Sequence, residues 1–238
     1  MRTSAALPRL CLLIACGAGV ISAAAQAQPY QAFPIDEGIE VPEFLAWRDR
    51  LIEAVRRRDT EAVVALADPN IRLSFGDANG REQLRMWLNG VDAVPWSGAA
   101  YWHKLERTLA LGGTWQDIGD ERGQYFCAPY TFSAEFPPEM DVFDVVMVIQ
   151  PEAQLHSGPS RSDPVVATLD YDIAEITDNS DFDPENPVKP YWLGIRTANG
   201  VHEGYVNSTA VRSPVDYRAC FGRGADGGWI WDLFVAGD

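Results

Sequence analysis

Histidine is nearly absent from this chain, which has three in 238 residues: His103, His156 and His202. Cysteine is as sparse, with four, and two of these, Cys11 and Cys16, fall in an N-terminal apolar stretch. Metal-assisted hydrolysis needs three or four ligands at helix or loop spacing. Three scattered histidines, with no H-x-x-x-H and no paired cysteines, do not supply them. A thiol nucleophile needs a base beside it, and Cys127 lacks the flanking residues of envelope peptidases. Neither G-x-S-x-G nor a glycine-rich phosphate loop occurs. Asp181, Asp183 and Glu185 imitate the start of a calcium loop, with Asp178 nearby. The sixth position is Asn186 and the twelfth Trp192, where the loop requires glycine and a bidentate glutamate. Glu135, Glu139 and Asp141 form no pattern for glycoside chemistry, which needs two carboxylates across a cleft. The chain reads as non-enzymatic, with no cofactor and no metal site.

Positive charge is scarce too. Nineteen basic residues face 34 acidic ones, for a net charge of −15. Such a surface repels nucleic acid and anionic lipid, and tolerates cationic or amine-bearing partners. Leu10 to Ala25 is apolar or small throughout, follows Arg2 and Arg9, and ends in Ala25-Gln26-Ala27. That is the pattern of a signal peptide cut after residue 27, too short and alanine-rich for a permanent span. A second cut competes, because Leu13-Ile14-Ala15-Cys16 has the form of a lipoprotein signal, in which Cys16 carries a lipid anchor. Either way the protein is expected to be exported, to the periplasm or beyond. Removing residues 1–27 leaves 211 residues, with 17 basic against 34 acidic, a net charge of −17.

Cys127 and Cys220 remain after that cut. In an oxidising compartment an even pair invites a disulfide. The other reading is two buried thiols acting as small hydrophobes.

Phe44, Trp47, Leu51 and Val55 recur at steps of three and four, the mark of an amphipathic helix. A second helix fits Thr60 to Ala67, with Thr60 as N-cap. Ile71, Leu73 and Phe75 alternate with polar residues, so 71–75 reads as a strand. A third helix carries Leu84, Trp87 and Leu88 on one side, and a fourth Tyr101, Trp102, Leu105 and Leu109. From residue 142 the character is β. Val142 to Ile149 is a nearly continuous apolar strand, and short strands fit Val165–Leu169, Ile173–Ile176, Tyr191–Thr197 and Gly204–Val206. The last segment is a hairpin, 217–221 and 229–238, with Trp229, Trp231 and Leu233 alternating. A return of this hairpin onto the N-terminal part would be tied there by a Cys127–Cys220 bridge.

Residues 44–90 loosely resemble the opening of nuclear-transport-factor-2-like domains, in which two helices, a strand and a further helix precede a curved sheet. Residues 145–211 resemble a bacterial Src homology 3 (SH3b-type) domain. The resemblance rests on "HSGPS" (156–160) before the strand-forming "PVVATL" (164–169), on Trp192 at the start of a central strand, and on "NGVHEGYV" (199–206), which is similar to the family's Gly-x-x-Gly-Trp/Tyr-Val hairpin with one more residue between the glycines. Gly158 and Gly200 suit tight turns, and Gly204 a close backbone approach. The pattern departs at His156, where arginine is usual, at Asp170-Tyr171-Asp172, which replaces a glycine-containing turn, and at the longer loop 177–190.

The expected fold class is therefore α+β: signal peptide 1–27, a helix-rich N-terminal domain 28–141, an SH3-like β-barrel 142–212 and a C-terminal β-hairpin 213–238. The SH3b resemblance implies binding of peptidoglycan or an envelope protein. It places Tyr171, Tyr191, Trp192 and Tyr205 as an aromatic platform, with Asp170 and Asp172 to meet an amine. Aromatic rings offer large contact area at little entropy cost. Trp192 and Tyr205 read equally as barrel core. Two other functions stand beside this one: a small-ligand or weakly enzymatic pocket in the N-terminal domain, and a purely structural role in assembly.

Overall fold

The computed structural model describes residues 30–91, 97–117 and 123–237. The expected leader, 1–27 with Cys16, lies outside the described residues. Helix α1 runs from Pro42 to Arg56 and buries Phe44, Trp47, Leu51 and Val55. Pro42 opens it, where the missing N–H has no helical partner to lose. Helix α2 spans Thr60–Leu66, and its cap is Asp59 rather than Thr60: the Asp59 carboxylate accepts the Ala62 N–H at 3.1 Å. The Thr60 hydroxyl instead donates to Asn89 Oδ1 at 2.9 Å. Strand β1 occupies Ala67–Arg72, four residues ahead of the expected 71–75. Leu73 stays buried, but Phe75 is 51% exposed, with the Arg72 guanidinium 4.9 Å above its ring. Helices α3 (Gly80–Asn89) and α4 (Ala99–Leu109) bury the apolar faces that their spacing predicts. Two short strands follow that the sequence reading did not anticipate, β2 (Thr114–Asp117) and β3 (Gln124–Ala128).

Beyond β3 the chain builds an open sheet of seven strands. These are β4 (Val145–Val148), β5 (Ala153–His156), β6 (Val165–Leu169), β7 (Ile173–Asp178), β8 (Trp192–Thr197), β9 (Glu203–Asn207) and β10 (Val211–Arg212). Their order is β10-β4-β7-β8-β9-β5-β6, and every pair is antiparallel. Val148, Leu155, Leu169, Leu193, Ile195 and Val206 meet in one core. Strand β4 is buried on both faces: Val146 and Val148 enter that core, while Val145 and Met147 pack on Ala32, Tyr130 and Ile173. A strand with no wet face shows no alternation, hence the unbroken apolar run. Two glycines here make room. A Cβ on Gly158 would stand 2.6 Å from Asp163 Oδ2, and its φ is not positive, so the expected turn role is replaced by a packing one. A Cβ on Gly204 would lie 2.4 Å from the His156 carbonyl oxygen, where β9 crosses β5.

The chain then returns. Strands β11 (Arg218–Arg223) and β12 (Trp229–Val235) form a hairpin that enters the middle of a five-stranded sheet ordered β1-β12-β11-β3-β2. β1 and β12 are parallel and the other pairs antiparallel. All four α-helices lie in the N-terminal part and cover one face of this sheet, and two of its five strands come from residues about ninety positions after β3. The simple alternation of Trp229, Trp231 and Leu233 needs correction. Cys220 faces Leu233 and Phe221 faces Trp231, so Asp232 is the extra residue of a β-bulge. Past the bulge the faces exchange. Trp231 and Phe234 join Phe44, Leu51, Leu84 and Leu105 in the helix-side core, while Leu233 turns to the opposite face. On that face Cys127 and Cys220 stand directly opposite in register and are joined by a disulfide, packed with Tyr125, Phe132 and Leu233. The fold is mixed α+β, with four α-helices and two sheets among the described residues.

Candidate functional site

The six ligand candidates do not assemble into one platform. Asp170, Tyr171 and Asp172 build the turn between β6 and β7. Tyr171 has φ +60°, the left-handed value that glycine takes in such turns. Asp172 holds the turn by accepting the Asp170 N–H at 2.7 Å, and the Asp170 carboxylate accepts the Glu152 N–H at 2.7 Å. The segment that leads into the fold lies across this turn. Ala32 N–H donates to the Tyr171 carbonyl at 2.9 Å, Ile173 N–H to the Tyr30 carbonyl at 2.8 Å, and the Phe33 ring rests 5.5 Å from the Tyr171 ring. Tyr205 donates its hydroxyl to Asp178 Oδ2 at 3.0 Å, which raises the phenol pKa. The Asp178 pKa falls, through the Ser180 backbone and side-chain bonds first and the Tyr205 bond after them.

Asp172 is 8% exposed, and burial pushes its pKa above the ordinary 3.8, the nearby Asp170 charge adding to the rise. A raised acid pKa means that the folded state holds its proton more tightly than the unfolded one. Stability is therefore lost as pH rises from the unfolded value through the folded one. Asp172→Asn keeps an oxygen for the Asp170 N–H and removes the buried charge. It is expected to stabilise by up to about 1 kcal/mol at pH 7. Urea titrations at pH 7 and pH 3 check this: the gain should vanish at pH 3, and a loss at pH 7 would refute it.

Tyr191 and Trp192 are neighbours at the start of β8 and face opposite sides of the sheet. Half-buried Trp192 stands edge-on to the His156 ring, with centroids 5.1 Å apart at 77°. It flanks a groove of about 370 Å³ over β5 and β9, lined by Gln150, Gln154, His156, Asn207 and Thr209. Glu152 and Arg161 add one charge of each sign. His156 Nδ1 lies 2.8 Å from the Asp163 carbonyl oxygen, so Nδ1 carries the proton there. In the neutral ring that leaves Nε2 as an acceptor. Asn207 faces Trp192 in the β8–β9 register, and Gln154 lies between buried Ala153 and Leu155 on β5. The wet positions of these two strands thus supply two of the groove's three amides, and Gln150, in the turn before β5, is the third. Of this lining, the sequence points to Trp192 as a ligand residue and to His156 only as a departure from the SH3b pattern. The amides gave no signal there, because an exposed Gln or Asn on a strand is ordinary until a neighbouring strand brings a second one beside it.

Cys127 is consumed in the disulfide, and among the described residues no three His, Cys, Asp or Glu side chains gather as a metal site. The acidic loop bonds to its own backbone: Asp181 Oδ2 accepts the Trp192 N–H at 2.8 Å, and Asp183 Oδ1 the Glu185 N–H at 3.0 Å. No helix among the described residues is long and apolar enough to cross a membrane. No family model, no curated protein and no solved structure matches the chain.

Proposed function

We propose that this is an exported, non-catalytic binding protein of the bacterial cell envelope, and that the groove beside Trp192 holds peptidoglycan. The observation that carries the reading is the groove's chemistry. One aromatic ring borders Gln150, Gln154, Asn207 and Thr209, a set of neutral donors and acceptors suited to a sugar or a peptide backbone. On this reading the seven-stranded unit is an SH3-like barrel. Support comes from the run of short antiparallel strands, with hairpin loops at 157–164 and 198–202, where the resemblance puts them. The Cys127–Cys220 bridge supports an oxidising address, and export accounts for the apolar leader. The N-terminal unit is read as nuclear-transport-factor-2-like, because α1, α2, β1 and α3 precede the remaining strands of its sheet. Trp87 and Trp102 belong to the core of that unit, and Trp102 Nε1 donates to the Leu88 carbonyl at 2.9 Å.

Co-sedimentation of residues 28–238 with purified peptidoglycan tests the reading. Binding should saturate, and Trp192→Ala should weaken it roughly tenfold, the loss expected of a central aromatic contact. Gln154→Ala, on an exposed strand position, should weaken it less and leave the thermal midpoint unchanged. Absence of saturable binding would refute the wall reading and favour an envelope protein as partner.

A further inference from the structure

A second concavity, sharing Thr209 with the groove, opens between α4 and the seven-stranded sheet. Its volume is about 330 Å³. From α4 it receives His103, Lys104 and Arg107, from β10 Arg212, and from the 179–190 loop Lys189; Asp216 is the only carboxylate on its wall. In a chain with 34 acidic residues and a net charge of −15, four permanent cations against one anion is a local reversal of sign. Arg107 and Arg212 have structural bonds. Arg107 Nη2 donates to the Val211 carbonyl at 3.2 Å, and Arg212 Nη2 to Thr108 Oγ1 at 3.0 Å. Arg212 also donates through Nη2 to the Tyr217 carbonyl, but its pairing is incomplete. The Arg212 side chain is 1% exposed, its Nη1 lies 3.5 Å from Asp216, and its buried Nε has no hydrogen-bond partner. Lys104 sits over the Tyr217 ring at 4.6 Å, and Lys189 is exposed at the rim.

The other wall is apolar. Val146, Ile176 and Leu193 form it, and Tyr191 closes one side with Phe182 edge-on at 5.2 Å. Burial lowers the pKa values of His103, Lys104 and Arg212; Asp216 opposes the fall at Lys104 and Arg212, and Glu106 at His103, while the neighbouring cations add to it. Gathered like charges in a partly desolvated place are held at a cost that an anion would relieve.

We propose that this cleft is a binding site for a small amphipathic anion, a carboxylate or phosphate carried on an apolar or aromatic body. The head lies among Lys104, Arg107 and Lys189, and the body against Tyr191 and Phe182. The volume is at the small end of ligand pockets, which sets a limit near one ring or a short chain. Because α4 and the sheet each contribute a wall, an occupant touches both halves of the molecule.

The test is a heteronuclear NMR titration of residues 28–238 with four probes: phenylacetate, phenyl phosphate, inorganic phosphate and neutral 2-phenylacetamide. Phenylacetate or phenyl phosphate should saturate, with shifts concentrated at 103–107 and 189–193. Whichever binds more tightly identifies the head group. Inorganic phosphate and 2-phenylacetamide should each bind at least tenfold more weakly. Lys104→Gln/Lys189→Gln should weaken the anion at least tenfold, and Trp192→Ala should leave it unchanged, which separates this site from the groove. Equal binding of acid and amide overturns the proposal. So does a double variant with unaltered affinity, or absence of saturation by every probe; the cations then serve only to fasten α4 to the sheet.

Discussion

Phe44→Ala is expected to destabilise the protein by about 3–5 kcal/mol, with the upper half of that range favoured. Phe44 is fully buried, and its ring has aromatic neighbours from five elements. Trp47 of α1 lies 6.1 Å away between centroids, Trp115 of β2 5.4 Å, Phe126 of β3 4.7 Å, Phe221 of β11 5.8 Å and Trp229 of β12 4.9 Å. One side chain thus ties α1 to four of the five strands. The cost of truncation depends on how far the surroundings collapse into the space left behind. Large planar rings held by each other and by the sheet backbone collapse poorly, so most of the cavity should persist. Arg48 also stacks on this cluster, 5.6 Å from the Phe44 centroid and 5.3 Å from that of Phe126, while bonding both oxygens of Asp36 at 2.6 and 2.8 Å. A domain of this size has about 5–15 kcal/mol in total. Urea unfolding followed by circular dichroism measures the loss. A value under about 1.5 kcal/mol would mean that the aromatic cluster relaxes freely and is no rigid hub.

What the sequence discloses of this fold depends on how local the cause is. α1, α3 and α4 are legible because an amphipathic helix repeats its apolar residues within a few positions, whatever lies beyond. β6, β7 and β8 stand out through the turn residues between them. β2 and β3 are not legible. Tyr125, Phe126, Cys127 and Ala128 are all buried, so β3 shows no alternation, and its partner β11 lies some ninety residues on. Nothing near residue 125 records that pairing. The bulge at Asp232 is hidden in the same way, since it is defined by the strand opposite. The site follows suit. Trp192 is conspicuous as a lone large ring at a strand start. Lys104, Lys189 and Arg212 look like ordinary surface cations until α4 packs against β10 and the long loop. Asp170-Tyr171-Asp172 takes its expected ligand role from the SH3b resemblance, as an aromatic ring between two carboxylates. The structure gives the composition a local cause: a left-handed residue between two carboxylates that cap backbone N–H groups.

Cys127→Ala/Cys220→Ala is expected to cost the five-stranded unit about 3–4.5 kcal/mol, and the argument turns on where the bridge sits in the chain. The two cysteines are 93 positions apart, and all seven strands of the second sheet lie between them. Cross-linking a loop of that length removes denatured-state entropy worth about 4.5 kcal/mol in the chain-entropy model. If the second sheet stays folded while the first unfolds, the free loop is shorter. The dependence is logarithmic, with each halving worth only about 0.6 kcal/mol, so the figure falls to no less than roughly 3 kcal/mol. Unfolding of the second sheet alone is a different event. β3 and β11 then hold both ends of the insertion with or without the bridge, and the disulfide should contribute nothing. Trp192 is the one tryptophan within 145–212, and the other seven fall outside it. Tryptophan fluorescence therefore reports mainly on the first unit. The double variant should lower the fluorescence midpoint by on the order of 10 °C. The amide signals of β5, β8 and β9 should survive to the wild-type temperature. A shift below about 3 °C would mean that the native state loses strain as the bridge is removed, offsetting the entropy. Simultaneous loss of both sets of signals would show instead that the inserted sheet depends on the one that carries it.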